Sequence, residues 1–416
     1  MAFKLNKTIN GKSLYLVVFL SFIILVLLWM FLTQSMYARV EAQQYVQLKH
    51  IVDRNNNLIY KLLNGSENQT DSIDDLIKTQ KVIEDWGAFK VVNIKSDWKS
   101  ISYTKTALAG NYIFQDDTVG LFLADKEKAI SVSGQTKIYG TCFIPSMGIK
   151  SIYVDGSPYR NDRLLYGEKR TSKKNLPELS SDLLNWINKS YGGDFGINDS
   201  IINKNHLFKD NIIRSYRDKA LVIFDKDKLV LRDVYLKGKI IVQSDSLIII
   251  RKSSVLEGII VVSPKIIVEK GFEGNLQLFA SDSILIESDV KLNYPSFVSV
   301  HSEKSKKGFC YIDENSRVEG GVLCAADVES GSKSAELFLA ENSTVCGIVY
   351  CQGSISMNGN VLGSVYTNQF HLKTRKGYYE NVLNDAEINP LKLTPTFLVP
   401  KILESKTEWG VLEWLD

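Results

Sequence analysis

The sequence predicts a mainly β chain: a parallel β-helix (solenoid) with a helical insertion, preceded by an N-terminal transmembrane and stalk α-helix. Three observations predict it. A short motif, Gly followed by an alternating apolar run, returns six times between Tyr235 and Phe370. An uncharged run of nineteen residues, Leu14 to Leu32, stands near the N-terminus, and helical apolar spacing continues from it to Leu63.

The motif reads G-K-I-I-V from Gly238, G-I-I-V-V from Gly258, G-N-L-Q-L from Gly274, G-G-V-L-C from Gly320, G-I-V-Y-C from Gly347 and G-S-V-Y-T from Gly363. The intervals from Gly258 and from Gly347 are sixteen residues, and those of 20, 46 and 27 read as a similar unit with insertions. Short repeats of this kind mean stacked units that bury a common core. Two residues after each Gly stand Ile240, Ile260, Leu276, Val322, Val349 and Val365; four after stand Val242, Val262, Leu278, Cys324, Cys351 and Thr367. Between them the residue varies freely, as at Lys239, Ile259, Asn275 and Ser364. Strand side chains alternate between faces, so the pattern predicts one buried side, the same in every copy. Ile260 is expected to be intolerant of a polar residue and Ile259 tolerant. Cys324 and Cys351 fall at equivalent places and are expected to be a reduced core pair, with Cys346 on the opposite face.

The 416 residues suffice for a large core and more than one structural unit. Fifty basic and 47 acidic residues nearly cancel, so no overall charge points to nucleic acid. Eight prolines against 10% aromatics exclude a low-complexity chain. The five cysteines contain no CxxC and the four histidines are scattered, so a zinc site of ordinary spacing is not expected.

Residues 1–12 carry Lys4, Lys7 and Lys12 and no acid, and read as a cytoplasmic leader. Residues 13–34 form the transmembrane helix, since nineteen uncharged residues at about 1.5 Å each cross a hydrocarbon core of about 30 Å. The rest of the chain is then extracytoplasmic and the protein single-pass in the inner membrane. A cleaved secretory signal is the rival reading, and it requires a shorter apolar region and a small-x-small exit. Residues 35–64 continue as an amphipathic stalk through Tyr37, Val40, Tyr45, Leu48, Ile51, Val52, Leu58, Ile59, Leu62 and Leu63 until Asn64-Gly65. An apolar half running into an amphipathic half resembles the N-terminal helix of type IV pilins and of type II secretion pseudopilins. That resemblance implies prepilin-peptidase cleavage at Gly11. It also implies Glu at the fifth residue after the cut, where this chain has Leu16. A signal anchor followed by a stalk helix accounts for the same residues.

Residues 65–119 read as a small α+β connecting region, with a short helix from Ser72 and Asp75 to about Lys81. Residues 120–375 form the β-helix, beginning with VGLFLAD and AISVSGQTKIYGTCFIP; residues 180–217 are the helical insertion, carried by SSDLLNWINKS. The tail, 376–416, lacks the repeat and is expected to cap an apolar end of the solenoid. Short stacked β units with aliphatic columns resemble the right-handed β-helix of bactofilins and other polymer-forming proteins. The resemblance spans the repeat region and implies self-association.

The acids of the repeats, Asp245, Glu257, Glu269, Asp282, Glu287, Asp289, Asp313 and Glu319, sit mostly at bends and not in one column. His301 and His371 have no partnered nucleophile at a suggestive spacing, and no phosphate loop, GxSxG or HExxH occurs. No catalytic, cofactor-binding or metal residue is therefore expected. The reading is a non-enzymatic structural or assembly protein of the bacterial cell envelope. Its expected partners are inner-membrane lipid and self-association or secretion or pilus-type machinery, with no nucleic acid. The alternative is a glycan-binding or glycan-cleaving β-helix, for which an outward column at Tyr350 and Tyr366 is the best sign.

Overall fold

The computed structural model describes residues 11–65, 77–99, 101–113, 118–193, 200–203, 211–302, 307–327, 335–404 and 408–415. Among these the protein is mainly β with one long N-terminal helix. The chain divides into two units. One comprises Met1–Leu58, Asn68–Gln80 and Ile94–Lys105; the other comprises Ile59–Glu67, Lys81–Asn93 and Thr106–Asp416.

The helix α1 runs unbroken over Gly11–Leu63, about 80 Å at 1.5 Å per residue. It ends where the sequence places the end, at Asn64 and Gly65, the latter with φ +68°. Every residue from Lys12 to Leu32 is exposed, with nothing among the described residues covering the apolar run. Burial begins further on, at Ile51, Asn55, Ile59 and Leu63, four residues apart on one face. Within the first unit the Ser96 hydroxyl donates to Asn55 Oδ1 at 2.7 Å and Arg54 donates to the Thr79 hydroxyl at 2.9 Å. The expected short helix through Lys81 is not formed, since Lys78–Trp86 is a strand; its start, Ser72 and Asp75, lies outside the described residues.

In the second unit parallel strands close round one core in three rows. The first row includes Tyr235–Gly238 and its partners, with Leu236, Leu256, Val318, Val345 and Val361 turned inward. The second row pairs Ile240–Ser244 with 260–262, 276–280, 297–302, 321–326, 348–351 and 364–367 in succession. The third pairs Leu247–Ile250 with 265–268, 283–286, 309–312, 336–339 and 354–357. Aliphatic side chains from all three rows meet in one cluster.

The recurring Gly has a steric cause at the junction of the first two rows. Gly320, Gly347 and Gly363 lie one above another, with φ of +135°, +125° and +154°. A Cβ on Gly347 would run into the carbonyl oxygen of Gly320, and one on Gly363 into that of Gly347. Only glycine fits where the chain turns left-handed against the turn beneath.

Several expectations are corrected. At Gly258 the register shifts between Glu257 and Ile259, so Ile259 and Val261 face the core beside Leu276 and Leu278, while Ile260 and Val262 face outward. The 46-residue interval holds a whole turn, Lys291–Ser302, in which Ser296 stands level with Gly320. The strands of 119–171 are not the start of the stack. Leu121 pairs with Val365, and Cys142 with Leu121 and Lys169, so this segment continues the stack beyond residues 360–373. Nor does the tail close an end. Ile388 lies between Val361 and Ile138, and Val382 pairs with Ser131, so 382–388 joins the two segments. Beyond it, Leu398 and Trp409 pair with Tyr112 and Asn111. The helical insertion expected over 180–217 is helical only as α2, Ser181–Tyr191, which lies on the flank of the stack with Leu183 and Ile187 buried; Ser200–Asn203 and Ile212–Arg214 are strands that pair with 221–224 and 236–238.

Candidate functional site

The outward side of the second row is not a free surface. Ile241, Ile260, Phe279, Phe297, Leu323, Ile348, Tyr350 and Tyr366 form a second core with Leu183 and Ile187 of α2, with Trp86 and Phe89, and with Val399 and Ile402 of the tail. Gln277 stitches this cover in place, accepting from Ala88 N at 2.8 Å and donating to Trp86 O at 2.9 Å. Tyr350 and Tyr366 do lie in register, but only 3% and 9% exposed, and the Tyr350 hydroxyl donates to Pro177 O at 3.0 Å. Burial pushes the Tyr366 phenol up to about 12. With the flank covered, these rings stabilise a packed sheet face and offer a sugar no platform.

Among the described residues, nothing covers the outward side of the third row. Val230, Ile249, Ile267, Leu285, Tyr311 and Phe338 occupy one outward position in six successive strands, an apolar stripe about 24 Å long at 4.8 Å per strand. Phe309 widens it, and Phe309 and Leu285 are 39% and 36% exposed. Tyr311 stacks on Phe338 with centroids 4.9 Å apart and planes 7° from parallel, so these two rings turn faces toward each other along the stack. Sequence reading overlooked the stripe because it followed the strand after each Gly; the signal lay in the second run, at the middle apolar positions of SLIII, KIIV and SILI.

The eight acids do not share one column, but three of them stand in register beside the stripe. Glu269, Glu287 and Asp313 stand one above another, each backbone N–H donating to the turn beneath, to Ile250, Val268 and Ile286 at 2.9 to 3.0 Å. Arg251, likewise bonded to Leu231 O, continues the column downward next to Arg232. The Arg251 guanidinium pairs with Glu269 and holds its carboxyl below the usual range. On this side the stripe is bordered by basic groups at one end and acidic groups from its middle onward, whereas on the other side Leu247, Lys265, Ser283, Phe309 and Glu336 follow in order.

The cysteines are core residues. Cys324 and Cys351 pair in register and point inward with Cys310, all fully buried, whereas Cys346 lies outside that cluster. All five are free. Burial pushes the Cys142 thiol up to about 12 and raises Cys310 further, and the neighbouring Cys351 raises Cys324. A thiol so far from ionising is a poor nucleophile. In the folded protein Cys324 and Cys351 are expected to resist alkylation, and after unfolding without reductant to label at once. Labelling that appears only after reductant would mean a bond between them.

His301 is buried, with Nε2 3.6 Å from Asp327 Oδ1; burial lowers its pKa and Asp327 partly opposes this. His371 packs against the Tyr378 ring at 4.9 Å and is also lowered by burial. Among the described residues, no three or more of His, Cys, Asp and Glu are grouped to hold a metal ion. Compared with known proteins, the chain matches no family model, no curated protein and no solved structure.

Proposed function

We propose that this protein is a non-enzymatic structural or assembly component of the bacterial cell envelope. In this reading the exposed apolar part of α1 crosses the inner membrane with the N-terminus in the cytoplasm. The closed parallel stack is a β-helix carried on the extracytoplasmic side. One observation carries the proposal: an uncharged helix surface, exposed from Leu14 to Leu32, is continuous in one helix with a face that is buried at Ile51 and Asn55. Such a surface is stable in lipid and not in water. The resemblance of the helix sequence to pilin-type subunits and of the repeat sequence to bactofilin-type β-helices is what favours an assembly role in this reading. The covered Tyr350 and Tyr366 weigh against the glycan reading.

The protein is expected to stay with the membrane pellet through high-salt and carbonate washing. Protease added to the extracytoplasmic side is expected to cleave in the described loops of the stack. Recovery of a soluble chain trimmed at its N-terminus would remove the anchor, and protection of the stack from external protease would reverse the topology.

A further inference from the structure

We propose that the end of the stack built by residues 149–171 is a stop, closed so that no second copy of this chain extends the parallel strands there. Resting on the assembly reading above, this confines any meeting of copies to other surfaces.

The backbone at this end is open. Among the described residues, no strand pairs with the far side of Lys169–Thr171 or of Ile149–Ser151. An unpaired strand edge is a template for another chain, so the side chains decide whether the stack can grow.

The side chains change character at this turn. The inward column that continues the second row runs Val322, Val349, Val365, Leu121, Cys142, all in the core, and its next member is Lys169. Beside it Thr171 follows the buried Ile144, and in the strands across the core Ser151 follows Leu383 and Val132. Lys169, Thr171 and Ser151 are all exposed. Lys169 reaches across the end, with Nζ 3.5 Å from the place a Cβ would take on Gly148, the residue that leads into Ile149–Ser151. Its alkyl stem then lies along the last aliphatic layer while the ammonium stays in water. Tyr159, Leu164 and Leu165 of the intervening loop pack against the same core.

A further turn laid on this end would bury the ammonium and two hydroxyls over an aliphatic layer. Burying such a charge costs roughly several kcal/mol unless a partner is supplied. Against the same end of a second copy, ammonium would meet ammonium. Inward charges on edge strands and polar outer faces on terminal repeats both keep ends from joining. The tail, which runs between the two segments of the stack, leaves this closure to the last turn itself.

The test weighs the full chain in detergent micelles by sedimentation over a range of protein concentrations. Lys169→Arg should behave as the unaltered protein does. Lys169→Leu combined with Thr171→Val and Ser151→Val is expected to self-associate at least roughly tenfold more tightly. Folding of each variant is read from the protection of Cys324 and Cys351 against alkylation. A folded triple variant that associates no more tightly than the unaltered protein overturns the proposal. So does an unaltered protein whose association is lost with Lys169→Glu, since this end would then be a contact between copies. Failure of the assembly reading is a separate result, seen as loss of the protein from the membrane pellet.

Discussion

Gly347→Ala is expected to destabilise the stack by about 2–4 kcal/mol, seen as early exposure of Cys324 and Cys351 to alkylation along a urea gradient. Two effects add. At φ +125° an L side chain is strained, and the new methyl would run into the carbonyl oxygen of Gly320 in the turn beneath. Neither neighbour can withdraw, because Gly320 is itself seated against the Ser296 carbonyl and Gly363 sits on Gly347. Gly65→Ala separates the two contributions. Gly65 has φ +68° with open space around its Cβ position, so it should cost only the backbone term, about 1–2 kcal/mol. Equal effects at the two sites would remove the steric account of the repeated glycine.

Ile259→Asn and Ile260→Asn should each cost about 3–5 kcal/mol, similar to one another. Periodicity alone predicts a large effect at Ile260 and a mild one at Ile259. Both residues are fully buried, in different cores: Ile259 among Leu276, Val261 and the third-row aliphatics, Ile260 between Ile241 and the buried Gln277 under the flank cover. An amide at either place loses its water and meets no designed partner. Ile249→Asn, on the uncovered stripe, should be mild in comparison. A tolerant Ile259 would return the register to the unshifted one, and a tolerant Ile260 would mean that the flank is not packed.

The sequence by itself determined the mainly β class, the single helix ending at Asn64-Gly65, and the inward places of Ile240, Leu276, Val322, Val349, Val365, Cys324 and Cys351. These are local properties: uncharged length, a turn residue and side-chain alternation act within a few residues. Tertiary structure alone decided three things. It decided that 119–171 follows 360–373 in the stack, because a parallel neighbour can come from any distance along the chain. The slip at Gly258 also needed it, since I-I-V-V offers an apolar residue to either face and alternation cannot choose between them. Which outward face is covered was the third. Phe279 and Tyr311 both read as apolar residues pointing out of a strand; one is sealed under α2 and the Trp86–Phe89 turn, the other stays open, and only the path of the tail and the insertion distinguishes them.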